Sequence, residues 1–399
     1  MQNEVKIIEM IENLRDTICE YIDKQEIAGV SVLVHKNNEE VCFLAEGMSD
    51  IENGKKIERD TIYRLYSQTK PVTAVAVMIL VERGILDLCQ PVSVFLPGFK
   101  NQKVLDEGGM VHSVNKEVTL FDLMQMTSGL TYSDLTKVGI KTNNLLKEVE
   151  SRLYGEHPVT TVEFANLVGE LPLMFEPGSS WNYGLSADIL GAVIEVVSGM
   201  RFGEFLKKEI FDPLEMHDTG FWIPEEKRLR LAKTYDVEEG SKGKRLVLYT
   251  GNEDAIQNQL ERNPAFESGG AGLAATLDDY MKFGRMLLDG GLYKNKRILR
   301  SRTVDFLTKG QLMEEQQIMF EKKFGLYGYS YSNLMRICKN PSQSSMLTRV
   351  GEYGWDGWLG AYFANFPEEN MTILFGMQRK GIGMWSLTRK LRNIILSSI

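Results

Sequence analysis

Segments patterned as β-strands lie at both ends of this chain, and helical patterning fills the long stretch between them. Near the start, Gly29-Val30-Ser31-Val32-Leu33-Val34-His35 and Val41-Cys42-Phe43-Leu44-Ala45-Glu46-Gly47 flank a turn at Lys36-Asn37-Asn38, which reads as a hairpin. Near the end, Tyr362-Phe363-Ala364-Asn365-Phe366 and Met371-Thr372-Ile373-Leu374-Phe375-Gly376-Met377 flank a turn at Pro367-Glu368-Glu369-Asn370. Helical spacing marks residues 4–24, 67–83, 119–127, 161–169, 185–198, 202–210, 277–288 and 384–398. Strands so far apart in sequence imply one antiparallel sheet built from both termini, with helices inserted between them. The expected class is α+β, of the α/β sandwich type. Residues 1–66 and 265–399 would form the sheet lobe and residues 67–264 a mostly helical lobe, with a site at their interface.

Composition removes several function classes. The chain has 399 residues, 43% hydrophobic and 25% charged, which is ordinary for a globular protein with a large core. A net charge of −8 without a basic run argues against nucleic acid. Cys19, Cys42, Cys89 and Cys338 are scattered, and His35, His112, His157 and His217 are isolated, so no metal site is expected. No stretch approaches 18 uncharged apolar residues, so no membrane span is expected. The N-terminus is acidic and amphipathic rather than signal-like, and a cytoplasmic location is the expectation.

Three stretches carry chemistry. Ser67-Gln68-Thr69-Lys70 leads into the apolar run from Pro71 to Gly84. Positions three apart on a helix share a face, so Lys70 can reach the Ser67 hydroxyl and help remove its proton. The same spacing recurs at Ser113 to Lys116 and at Ser241 to Lys244, where no apolar helix follows directly. Pro71 suits a first helical turn, and a helix start favours a developing anion. The second stretch is Glu176-Pro177-Gly178-Ser179-Ser180-Trp181-Asn182-Tyr183-Gly184, a loop before a helix. A tyrosine there, beside a lysine ammonium, is a usable general base. The third is Gly354-Trp355-Asp356-Gly357-Trp358, read as a glycine-bearing strand edge where a substrate can approach closely. The Trp358 amide would join that of Ser67 in holding an oxyanion.

In this order the three motifs resemble the serine β-lactamase and penicillin-binding-protein-like hydrolases, closest to the class C-like branch with family VIII carboxylesterases. The resemblance spans nearly the whole chain. It implies a β-lactamase/DD-peptidase-like fold, acylation of Ser67, assistance by Lys70, Tyr183 as base, and no cofactor or metal. Two departures bear on substrate. Trp355-Asp356-Gly357 stands where many relatives have Lys-Thr-Gly, so the lysine that binds a β-lactam carboxylate is missing. Tyr183-Gly184-Leu185 lacks the asparagine of Tyr-x-Asn. Both favour small uncharged esters over β-lactams. Tyr132, Trp355 and Gly357 are the expected substrate contacts. Asp356 is expected to face away from the cleft if Trp355 faces it. The competing activities are β-lactamase, D-amino-acid peptidase or amidase, and acyltransferase. A catalytically silent binding protein on the same fold is the non-enzyme alternative.

Overall fold

The computed structural model describes residues 2–106, 108–240, 243–252, 254–256, 259–381 and 383–399. Ser241 and Lys242, in the third Ser-x-x-Lys stretch, lie outside the described residues. Eight strands form the main sheet. They are β1 (Gly29–Lys36), β2 (Glu39–Asp50), β3 (Lys55–Lys56), β4 (Tyr329–Ser332), β5 (Met335–Cys338), β6 (Tyr353–Gly354), β7 (Tyr362–Phe366) and β8 (Met371–Gly376). Their spatial order is β4-β5-β6-β7-β8-β1-β2-β3, with antiparallel neighbours throughout. The two ends of the chain meet where β1 pairs with β8, in register from Ser31 opposite Gly376 to Lys36 opposite Met371.

Eleven α-helices occur among the described residues: α1 (Gln2–Asp23), α2 (Thr69–Glu82), α3 (Leu120–Gln125), α4 (Lys137–Arg152), α5 (Thr161–Gly169), α6 (Ser186–Ser198), α7 (Phe202–Leu206), α8 (Leu277–Leu288), α9 (Ser301–Lys309), α10 (Glu314–Phe324) and α11 (Ser386–Ser398). Strand β1 is covered on both faces. Val30, Val32 and Val34 pack with Leu14 and Ile18 of α1 and Leu391 and Ile395 of α11. Leu33 belongs to the larger core that includes α2 and α6. This double burial explains why the strand reads as an almost unbroken apolar run.

Helix α2 is buried from Thr69 through Leu80. A helix that is apolar all round belongs in a core, and this one carries the end of the first motif inward. It starts at Thr69, two residues later than the pattern predicts, because Tyr66–Gln68 form a separate 3₁₀ turn. The expected strand edge at 354–358 is also shorter: pairing stops at Gly354, and Trp355 to Trp358 are irregular. A short ladder pairs Tyr63–Arg64 with Ala274–Ala275, and Leu65 N–H donates to the Leu273 carbonyl at 2.9 Å. The segment before Ser67 is thereby tied to the glycine-rich loop at 268–273.

Behind β6 lies a buried ion cluster. Arg336, Glu352 and Arg392 have no exposed side-chain surface. Glu352 pairs with Arg392 at 2.7 Å, and Arg336 pairs with Asp356 at 2.8 Å. Burial alone would raise the Glu352 pKa, but the facing Arg392 and Arg336 outweigh it and hold the carboxyl below its ordinary value.

Candidate active site

Ser67 sits in the 3₁₀ turn just ahead of α2. Tyr66, immediately before it, has φ of 45°, a left-handed conformation that is uncommon for a tyrosine. Such a residue persists only when its surroundings hold it. Here the Tyr66 ring packs on Trp358, with centroids 5.2 Å apart. On the other side of the turn, Tyr280 donates its hydroxyl to the Gln68 carbonyl at 2.8 Å.

Lys70 is fully buried, and its ammonium meets three neutral acceptors: Ser67 Oγ at 3.2 Å, Tyr132 Oη at 3.0 Å and the Gly270 carbonyl at 2.9 Å. An ammonium has three protons to donate, so the set is complete. None of the three acceptors is charged. The carboxylate whose field reaches Lys70 is Asp188 on α6, which is 2% exposed. Its Oδ1 accepts from Ser268 Oγ at 2.5 Å and from Gly270 N–H at 3.1 Å, while Oδ2 has no hydrogen-bond partner. A Cβ at Gly270 would stand 2.6 Å from that Oδ2 and 2.9 Å from the Tyr132 hydroxyl. Glycine is therefore required where Asp188, Tyr132 and Lys70 converge. Burial raises the Asp188 pKa, and the nearby Lys70 charge opposes the shift.

The two tyrosines beside Lys70 differ. Burial, and then the Asp188 charge, push the Tyr132 pKa well above its ordinary value, so this phenol keeps its proton. The sequence allowed Tyr132 only as a pocket lining, whereas the structure shows it hydrogen-bonded to Lys70. Tyr183 presents its ring to Lys70 Nζ, 4.5 Å from the centroid, and accepts a hydrogen bond from Trp355 Nε1 at 2.9 Å. Ser67, Lys70, Tyr183 and Trp355, read from three distant segments, thus form one connected group with Tyr132.

Gly357 lies against the Leu65 carbonyl, where a Cβ would collide. Its missing side chain lets the 355–361 turn pack on the segment leading into Ser67. Among the described residues, the amides of Ser67 and Trp358 donate to no backbone carbonyl. Asp356 accepts from Arg336 while Trp355 donates to Tyr183, so the two neighbouring side chains have separate partners although the strand has already ended at Gly354.

Other contributors were not visible in the motifs. Asp188 and Ser268 support Lys70 from behind. Trp181, Phe324 and Tyr331 surround Tyr183 and Trp355: Phe324 meets both rings edge-on, and Tyr331 meets Trp355 at 5.0 Å. The tryptophan two residues before Tyr183 was a usable signal. Phe324 and Tyr331 sit on α10 and β4, which the pattern did not reveal. Among the described residues no group of three or more His, Cys, Asp or Glu side chains could hold a metal ion. No helix there is long and apolar enough to cross a membrane. Chemically, the arrangement offers a half-buried hydroxyl and phenol beside a buried ammonium, groups that can serve nucleophilic attack.

The family model described as Beta-lactamase matches residues 14–391. The chain belongs to the beta-lactamase family. Among curated relatives, protein Rv1367c of Mycobacterium tuberculosis is 27% identical over 372 residues, covering 91% of this chain and 88% of that protein. Esterase EstB of Burkholderia gladioli is 32% identical over 270 residues, 65% of each. The solved structure of EstCE1, described as a hydrolase with promiscuous acyltransferase activity, superposes with a TM-score of 0.79 at 21% identity, covering 98% of this chain and 100% of that one. Unliganded simvastatin synthase (LovD) of Aspergillus terreus gives a TM-score of 0.74 at 20% identity, with 98% of both chains covered. The chain therefore has the fold of the serine β-lactamase and penicillin-binding-protein-like group, with esterase and acyltransferase relatives.

Proposed function

We propose that the protein is a serine hydrolase acting through an acyl-enzyme, a carboxylesterase on small esters. The observation that carries this reading is the Lys70 ammonium, buried among neutral acceptors 3.2 Å from Ser67 Oγ with the Tyr183 ring 4.5 Å from its nitrogen. In the first step Ser67 Oγ bonds to the ester carbonyl carbon and the bond to the leaving alkoxide breaks. Tyr183, acting as base beside the Lys70 ammonium, takes the serine proton and delivers it to the leaving oxygen. In the second step water attacks the acyl carbon, Tyr183 takes its proton and gives it to Ser67 Oγ as the acyl–oxygen bond breaks, and the acid departs. The amides of Ser67 and Trp358 would hold the oxyanion in both steps. The lobe division at residues 66–67 and 264–265, with the site between the lobes, belongs to the same reading.

The substrate is expected to be uncharged where it meets Trp355, whose indole N–H is already given to Tyr183. Tyr132, Trp355 and Gly357 are the proposed substrate contacts. An alcohol in place of water would make the protein an acyltransferase. That second reading is favoured by acyltransferase mokF of Monascus pilosus, 29% identical over 255 residues.

The test is hydrolysis of 4-nitrophenyl acetate and butyrate beside a chromogenic cephalosporin, wild type against Ser67→Ala. Ester turnover that requires Ser67, with slow cephalosporin cleavage, is the expected outcome. Efficient cephalosporin turnover would replace the esterase reading with a β-lactamase one.

A further inference from the structure

The aromatic wall beside Tyr183 ends in a cation that the reaction steps above do not use. Lys323 and Phe324 close α10. The Phe324 ring stands edge-on to Tyr183, with centroids 5.4 Å apart, and edge-on to Trp355 at 5.5 Å. It remains 38% exposed, so the wall opens to solvent here. Next to it, Lys323 Nζ donates to Asn182 Oδ1 at 3.0 Å, and Asn182 directly precedes Tyr183. Asn182 Nδ2 donates in turn to the Leu130 carbonyl at 3.1 Å, two residues before Tyr132. The ammonium therefore stands where the Tyr183 and Tyr132 loops are joined.

Its charge is poorly matched. Lys116, Lys227 and Lys282 face carboxylates at 3.0, 2.8 and 2.9 Å. Among the described residues, no carboxylate reaches Lys323 within ion-pair distance, and its acceptor is a neutral amide. The carboxylate whose field it feels is Asp134, already engaged by the Thr131 and Thr136 hydroxyls. Lys323 itself stays exposed at the rim of the site, where partial burial lowers its pKa and the Asp134 charge opposes the shift.

We infer that Lys323 is an anion-recognising group of this site, and that the preferred ester carries a carboxylate on its leaving-group part. This rests on the acyl-enzyme reading of Ser67 and Tyr183. The side of the substrate follows from the role of Tyr183. The phenol that delivers a proton to the leaving oxygen faces the leaving group, and Lys323 and Phe324 adjoin that phenol. Phe324 would pack an apolar or aromatic leaving group while Lys323 pairs with its carboxylate. The substrate stays uncharged where it meets Trp355.

The test compares 4-acetoxybenzoate with its neutral analogue 4-acetoxybenzamide, in wild type, Lys323→Gln, Lys323→Glu and Ser67→Ala proteins. Wild type is expected to favour the carboxylate in kcat/KM. In Lys323→Gln that preference should fall about tenfold, the scale of one charge-assisted contact at a half-exposed site. Lys323→Glu should lower it further. The change should lie in KM and is read as the ratio of kcat/KM for the two esters within each variant, so that an effect common to both cancels, while thermal unfolding of each variant checks folding. Equal Ser67-dependent turnover of both esters by wild type, or an unchanged preference in Lys323→Gln, would overturn the inference and leave the acyl-enzyme reading standing. Absence of Ser67-dependent turnover of either ester would remove both.

Discussion

Trp355 and Asp356 are neighbours in sequence, yet their side chains enter two buried clusters of opposite character. Asp356 joins Arg336, Glu352 and Arg392, where each cation is matched by a carboxylate. Trp355 joins Tyr183 and Lys70, where the buried cation meets hydroxyls and a carbonyl, with the Asp188 carboxylate behind them. A matched cluster resists change because losing either partner strands a buried charge. The Lys70 ammonium instead lies beside the Ser67 hydroxyl and the Tyr183 phenol that the proposed reaction uses. The first region is suited to holding β5 to β7 and α11 together, and the second to chemistry.

Four substitutions sharpen or break this contrast. The largest effect is expected from Ser67→Ala, which should reduce ester turnover to background while leaving thermal unfolding near wild type; residual turnover above background would break it. Glu352→Gln should do the reverse. It strands Arg392 and is expected to cost about 3–5 kcal/mol in urea unfolding, with kcat of the remaining folded protein unchanged. A lost kcat at unaltered stability would mean that the ion cluster is not merely structural.

Tyr183→Phe should lower kcat about 10²-fold or more, the scale of a lost general base, read in steady-state kinetics. A rate near wild type would remove Tyr183 from that role. The smallest effect is expected from Asp188→Asn, about tenfold in kcat, because the carboxylate that holds Ser268 and Gly270 behind Lys70 becomes a neutral amide. An unchanged kcat would reduce Asp188 to a packing residue.

The two clusters also differ in sign with pH. The Glu352 carboxyl is depressed in the folded protein, so its contribution is complete above the ordinary carboxylate range and is lost as pH falls through its folded value. The Asp188 carboxyl is raised, so its ionisation costs stability, and that cost grows as pH rises through its folded value. Relative to wild type, Glu352→Gln should therefore lose its stability deficit on acidification, and Asp188→Asn should not.

Much of this architecture is legible in the sequence because its elements have strong local signatures. The helix at 277–288 matches the pattern residue for residue, as does the strand at 362–366. The first motif, Tyr183 and Trp355 were readable because their residue types are uncommon together. The start of α2 was misjudged because the left-handed Tyr66 inserts a 3₁₀ turn before it. Strands β4 and β5 were hidden: Tyr329 to Ser332 alternate tyrosine and serine, yet all four are buried. Helix α10 was hidden for the opposite reason, since Ile318 and Met319 face outward and blur its apolar stripe. Lys323 and Phe324 went unread with it. The support of Lys70 by Asp188 and Gly270 depends on residues up to 200 positions away, beyond any local pattern.

The most direct test of the central claim is intact-protein mass spectrometry of the enzyme trapped with a slowly deacylating ester, followed by peptide mapping. One acyl adduct per chain is expected, located on Ser67 and absent from Ser67→Ala. An adduct on another serine, or labelling that persists in Ser67→Ala, would contradict it.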